Sequence, residues 1–282
     1  MPLLTPLSAT TSAPTRPVTL VTGAARRIGL AIACELAAAG HDIALHVRRT
    51  DGEAAAAVQE GVTQLQALGA RVAVLAADLS DDSACAGLLP RAVAALGRVD
   101  ALVNNASRFD YDAPGPASSQ ALTAEALRAH WQANTVAPVL LAQALAQHVA
   151  ERGGQACVVN LLDQKLWNPN PDYFSYTLSK AALREATVLL AQALAPAVRV
   201  VGVAPGVTLV SGPMNEAEFA AAHQLTPLQR SSTPQDIARA VRFCIESPAI
   251  TGTTLLVDGG QHLAAQPRDV LFLAQQSLNS QG

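Results

Sequence analysis

Residues 18–36, VTLVTGAARRIGLAIACEL, constrain the fold more than any other stretch of the chain. Val18 to Val21 read as a short buried strand, a tight glycine loop follows, and an amphipathic helix runs from about Ile28. Gly23 falls at the turn and Gly29 at the helix entry. A helix start presents unpaired N–H groups and the positive end of its dipole, which favours an anion such as a pyrophosphate. Gly23 permits the turn, and Gly29 lets backbone and ligand approach closely. A glycine turn before a helix is also a purely structural device, so other residues must decide its use.

Downstream, strand and helix patterns alternate. Strands are expected at Ile43 to Val47, Arg71 to Ala76, from Ala101 to Val103, and at Cys157 to Leu162, Val198 to Val203 and Thr254 to Val257. Helices are expected at Gly52 to Leu68, Asp82 to Leu96, Ser175 to Leu194 and Pro234 to Glu246. One more, Leu122 to Val149, carries an interruption near Asn134 to Pro138. Strands that are continuous apolar runs, each followed by a helix, imply a parallel sheet covered on both faces. The fold class is therefore α/β: a single Rossmann-type doubly wound sheet of about seven strands flanked by helices, with ligands at the carboxyl ends of the strands. A chain of 282 residues suffices for one such domain, placed at 17–264, with a lid at about 209–227. Residues 1–16, rich in Pro, Ser and Thr, read as a disordered tail without a secretory signal, and 265–282 as a C-terminal extension.

A net charge of −3 with 15% charged residues argues against a nucleic-acid surface or a polybasic membrane contact. No apolar run reaches the roughly 18 residues of a membrane span. Cys34, Cys85, Cys157 and Cys244 are far apart and show no metal-ligand spacing, so they read as reduced thiols of a cytoplasmic protein, with no metal site.

Several strand ends carry ligand-binding candidates. The second ends His46-Val47-Arg48-Arg49-Thr50. An NAD-selective fold usually has an acid there. Two guanidinium groups and a hydroxyl suit a 2′-phosphate, hence NADPH, although they also make an ordinary solvated basic corner. Asp78, beside Leu79, either accepts from an adenine amino group or caps the next helix, a task Ser80 could also perform. Asn104-Asn105-Ala106-Ser107 leaves room for a ribose, and Phe109 is either a stacking face for a flat ring or core. Backbone around Pro205-Gly206-Val207-Thr208 can bind a carboxamide.

The reactive residues are expected in Tyr176-Thr177-Leu178-Ser179-Lys180. Tyr176 and Lys180 are i and i+4 on one helix, and an ammonium beside a phenol is expected to lower its pKa from about 10. Such a tyrosine passes protons near neutral pH. Asn134, in an otherwise apolar helix, is either a surface residue or a buried relay holding a water near Lys180.

Together these motifs, in this order, resemble the short-chain dehydrogenase/reductase superfamily over roughly Val18 to Gly260. The chain departs from the usual pattern twice. Arg27 stands where the middle glycine normally lies, and Asp163 stands where a serine usually donates to a substrate carbonyl. These departures, with Ser107 and Phe109, are similar to the pteridine reductase branch, which includes dihydromonapterin reductases. The resemblance implies a pterin substrate lying between Phe109 and the nicotinamide of NADPH, Arg27 contacting both pyrophosphate and pterin, and a homotetramer. It assigns Asp163, Tyr176, Lys180 and Asn134 to catalysis, and adds Leu209 and Met214 to the substrate site. A carboxylate would oppose a developing alkoxide but suits protonation of a ring nitrogen.

Overall fold

A computed structural model describes residues 16–115, 118, 120–210 and 214–279. The expectations for the tail at 1–15, for 211–213 of the lid and for 280–282 of the C-terminal extension lie outside the described residues. Helices and strands alternate from the start: β1 (Val18–Val21), α1 (Arg27–Ala38), β2 (Asp42–Val47), α2 (Glu53–Ala67) and β3 (Val72–Ala76). Next come α3 (Asp82–Ala86), α4 (Leu88–Leu96), β4 (Ala101–Asn104), α5 (Ala124–Trp131), α6 (Ala137–Arg152) and β5 (Ala156–Leu161). The chain continues with α7 (Phe174–Leu194), β6 (Val198–Pro205), α8 (Glu216–Gln224), α9 (Pro234–Glu246), β7 (Thr254–Val257) and α10 (Val270–Asn279).

The seven strands form one parallel sheet in the order β3-β2-β1-β4-β5-β6-β7. Register explains why both faces are dry. Leu20, Leu102, Val158 and Val200 align across four strands toward one face, and Val21, Val103, Val159 and Val201 toward the other. The first row packs with Leu88, Leu141 and Leu145 of α4 and α6; the second with Ile32, Leu36 and Ile237 of α1 and α9. Side chains alternating with period two make each apolar strand serve both cores. Sequence order reverses at β1, between β2 and β4, so a crevice opens at the carboxyl ends there.

Two expected helices differ from a single regular run. Residues 82–96 divide into α3 and α4 because Pro90 has no N–H to offer the carbonyl of Ala86, the last residue of α3. Between α5 and α6 the chain keeps helical dihedrals but widens into a π-turn at Gln132–Val136, where the Ala137 N–H reaches back to the Gln132 carbonyl. Pro138, again lacking an N–H, stands where a regular helix would serve the carbonyl of Asn134. All four cysteines are free. No helix among the described residues is long and apolar enough to cross a membrane.

Candidate active site

The glycine turn is built as a hinge between three strands. Gly23 adopts φ +64, and a Cβ on Gly29 would lie 2.2 Å from the Gly23 carbonyl oxygen, so the helix packs on the turn only with glycine at 29. Thr22 Oγ1 accepts the N–H groups of Asn105 and Ala106, both at 2.9 Å. Asn105 returns its amide to the carbonyls of Thr22 and Gly23, at 2.8 and 3.2 Å. Its side chain therefore braces the turn.

A cavity of about 990 Å³ runs along this turn, lined by Gly23, Arg27, Ile28 and Gly29, by Arg48 and Arg49, and by Asp78, Leu79, Asn105, Ala106 and Ser107. Thr50 is exposed and is not among the lining residues. Asp78 accepts from the backbone and hydroxyl of Ser80, while the cap of α3 is Asp81 and not Ser80. His46 contributes as well, though no motif marks it. The Gly23 N–H donates to His46 Nδ1 at 3.2 Å, which leaves Nε2 as the protonated nitrogen, donating to the Ala77 carbonyl at 2.9 Å. A histidine inside the apolar strand DIALHV was the visible sign.

A second cavity, of about 300 Å³, continues from the first. Arg27, Ile28, Asn105, Ser107 and Phe109 line both. Its walls include Asp163, Tyr176, Lys180, Pro205, Gly206, Val207, Thr208, Leu209 and Met214. Arg27 takes φ +57, the left-handed region that glycine occupies freely and arginine rarely, and its guanidinium donates to the Val210 carbonyl at 3.0 Å. The lid is thus tied to the glycine turn. Phe109 stacks on Tyr173, with ring centroids 4.3 Å apart and planes 11° apart, and meets Tyr176 edge-on.

Tyr176 donates its phenol to Asp163 Oδ2 at 2.8 Å. Asp163 Oδ1 accepts the Lys165 N–H, also at 2.8 Å, capping the 3₁₀ turn Gln164–Trp167. Burial raises the Asp163 carboxyl against the hydrogen bonds that lower it. The lowering of the phenol expected from Lys180 is not found. Burial and then the Asp163 charge push Tyr176 well above its ordinary value of 10. The Lys180 ammonium lies 5.9 Å from the ring centroid and donates to the Leu161 carbonyl at 2.7 Å. Burial lowers Lys180 itself to about 8, opposed by Asp163. The Tyr176 phenol accordingly keeps its proton at neutral pH.

Asn134 is fully buried, and none of its four hydrogen bonds goes to Lys180. Its Oδ1 accepts from Ser107 Oγ at 3.1 Å and the Arg108 N–H at 2.8 Å; its Nδ2 donates to the Arg108 carbonyl and to Ser179 Oγ, each at 2.9 Å. Both polar ends of the amide are engaged, and they fasten the loop bearing Phe109 to the helix bearing Tyr176. Lys165, Tyr173, Gln266 and Asp269 also line the second cavity and carried no readable signature. Among the described residues no group of acidic, histidine and cysteine side chains could hold a metal ion.

The profile of a family described as enoyl-(acyl carrier protein) reductase matches residues 23–262. The chain belongs to the short-chain dehydrogenase/reductase superfamily. It is an oxidoreductase of that superfamily, and solved relatives sharpen the likeness. FolM alternative dihydrofolate reductase 1 from Brucella canis, complexed with NADP, is 38% identical, with 90% of this chain and 97% of that chain covered and a TM-score of 0.80. Pteridine reductase 1 of Leishmania tarentolae is 34% identical over 90% of this chain and 99% of its own length. A protein assigned as ketoacyl reductase 2 of the granaticin polyketide synthase of Streptomyces violaceoruber is 36% identical, over 90% of this chain and 99% of its own.

Proposed function

We propose that the chain is an NADPH-dependent reductase of dihydropterins, with dihydrobiopterin, dihydromonapterin and dihydrofolate as candidate substrates. The observation that carries this reading is the 2.8 Å hydrogen bond from Tyr176 to Asp163. A ketone reductase must steady an alkoxide, and a carboxylate beside the donor opposes that charge. A ring C=N bond asks for a proton on nitrogen, which a phenol–carboxylic pair supplies, and the acceptor oxygens suit an N–H-rich ring edge. The likeness to relatives named for dihydrofolate and pteridine reduction supports the same reading.

The residues of the larger cavity fit a phosphorylated dinucleotide. The α1 amino end and the glycine turn suit a pyrophosphate, Arg48 and Arg49 suit a 2′-phosphate, and Asp78 suits an adenine amino group. When bound, NADPH supplies the hydride. Phe109, exposed on one side and backed by buried Tyr173, offers a flat face to a ring beside Tyr176. Tyr176 and Asp163 hold the proton, and Lys180 and the Asn134 network keep Tyr176 in place.

NADPH oxidation measured side by side with dihydrobiopterin and with an acetoacetyl thioester tests the reading. Dihydropterin turnover is expected to be faster, and Asp163→Ser and Tyr176→Phe each to lower it about 100-fold. Faster ketone turnover by the native chain would favour the second reading, a ketoacyl reductase, to which the 36% identity with the granaticin protein points. NADPH binding without oxidation on either substrate would make it a sensor. We also propose a cytoplasmic homotetramer. Exposed Trp131, Leu140, Leu178 and Leu189 on and beside α5 to α7 suit such contacts, and light scattering of the purified chain measures the mass.

A further inference from the structure

We propose that the arm at residues 264–272 is a specificity-determining wall of the substrate end, and that its Asp269, acting through Lys165, is a positioning residue for the Asp163–Tyr176 pair. The proposal rests on reading that pair as the proton donor. The arm is fastened to the loop that precedes α7. Buried Asp172 accepts two hydrogen bonds from Arg268, at 2.8 and 3.0 Å, and the Asp269 N–H at 2.7 Å. Asn168 accepts the Gln266 N–H at 3.2 Å and donates to the Ala264 carbonyl. The arm runs into α10, whose Val270, Leu271 and Ala274 pack on Met214 and on Ala222 of the lid helix α8. The C-terminal extension therefore belongs to the same site as the lid, and Gln266, Asp269, Val270 and Leu271 face the cavity that holds Asp163 and Tyr176.

Lys165 joins the arm to the acid. Its buried ammonium donates to the Asp172 carbonyl at 2.6 Å and lies 3.2 Å from Asp269 Oδ2, while its N–H holds Asp163 Oδ1 at 2.8 Å. Charged and titratable groups approach Asp163 from each side: Tyr176 and Lys180 from α7, Lys165 from its own turn and Asp269 from the arm. Removing the Asp269 charge takes a like charge away from the pair and frees the Lys165 cation, and both favour losing the proton. Removing the Lys165 charge does the opposite.

Full-length Asp269→Asn, Lys165→Met and Asp269→Glu test this. In D269N and K165M, kcat/KM for dihydrobiopterin is expected to fall about tenfold while the NADPH Kd stays within about twofold. The alkaline limb of the pH–rate profile is expected to move to lower pH in D269N and to higher pH in K165M, with D269E restoring it. A merely structural role would not split the two variants in opposite directions. Hydrogen exchange over residues 163–173 of the NADPH-bound protein is expected to quicken in both variants whatever the substrate. That readout separates this proposal from the pterin assignment, which fails on its own if the native chain turns over no dihydropterin. Arg268→Gln, which loosens the arm from a partly exposed position, takes the place of any buried variant that does not fold, with the same fall in kcat/KM expected. Unchanged kcat/KM, pH limb and exchange in these variants would overturn the proposal.

Discussion

Asp163 works against the fold that holds it. Burial raises its carboxyl above the usual carboxylate value, so folding favours the protonated form and penalises the charge. The stability it contributes is complete below the unfolded carboxylate value and is lost as pH rises through the higher folded one. Asp163→Asn keeps one oxygen to cap the turn, sets a donating NH2 against the Tyr176 hydroxyl, and removes the charge. It is expected to raise Tm by about 2–4 °C at pH 7.5 while dihydropterin reduction collapses, a trade between stability and activity that calorimetry and NADPH oxidation read together. His46 behaves in the opposite sense. Burial lowers its imidazole below the usual 6.5. Between that lowered value and 6.5 the unfolded chain binds a proton that the folded chain refuses, so stability rises with pH across this window and is lost as pH falls through it. Urea midpoints from pH 7.5 to 5 are expected to decline less steeply in His46→Gln than in the native chain. Its NADPH affinity is expected to be weaker at every pH, because the Gly23 N–H loses its ring acceptor.

At the scale of elements, the sheet and its helices were legible because their rule is local. An apolar run between turn residues is a buried strand, and α9 and β7 have the bounds that Pro234 and Thr254 announce. What escaped was set by backbone geometry and by distant partners. The interruption near Pro138 is expected from the sequence, but not its becoming a π-turn, and the break ahead of Pro90 is not expected, since residues 82–96 read as a single helix. Tyr176 and Lys180 were found from their spacing, but their charges depend on which carbonyl and which carboxylate lie across the cleft. Arg27, in the left-handed region, shows that an absent glycine does not mean an absent glycine conformation. Asn134 is the element-scale prediction. It joins the π-turn to two other segments with four hydrogen bonds, and Asn134→Ala takes a partner from the buried Ser179 hydroxyl and from groups of the exposed Ser107 and Arg108. We expect a loss of about 1–3 kcal/mol in urea unfolding, the cost of one buried group left short of a partner, since water reaches the others. A higher KM for the pterin is expected as well, since the Phe109 loop loses its tether.

Over the whole molecule the two ends of the sheet divide their labour. The carboxyl ends carry the strained Arg27, the buried Lys180 and the Asp163–Tyr176 pair. The opposite end carries ion pairs that only hold the strands together. There Asp42, at the start of β2, accepts the Arg71 N–H at 2.9 Å and pairs with the side chains of Arg71 at 2.7 Å and Arg16 at 3.2 Å. Asp100 accepts the Val18 N–H at 2.9 Å and meets Arg152 at 3.2 Å. If the division is real, removing one of these carboxylates must weaken the fold and leave the chemistry alone. The size of the loss follows from exposure. The Arg71 and Arg16 side chains remain 63% and 37% exposed, so water resolvates them when Asp42 is cut back, and the large cost of stranding a buried charge does not arise. What is lost is the acceptor for the Arg71 N–H and the tie between the first residues of β2 and β3. Asp42→Ala should therefore cost about 1–3 kcal/mol in urea unfolding. NADPH affinity and kcat/KM should match the native chain at 25 °C, where the folded state still dominates. A fall in kcat/KM comparable to that of a cleft variant would mean that the two ends of the sheet are energetically coupled, and that the amino-end ion pairs help to shape the site.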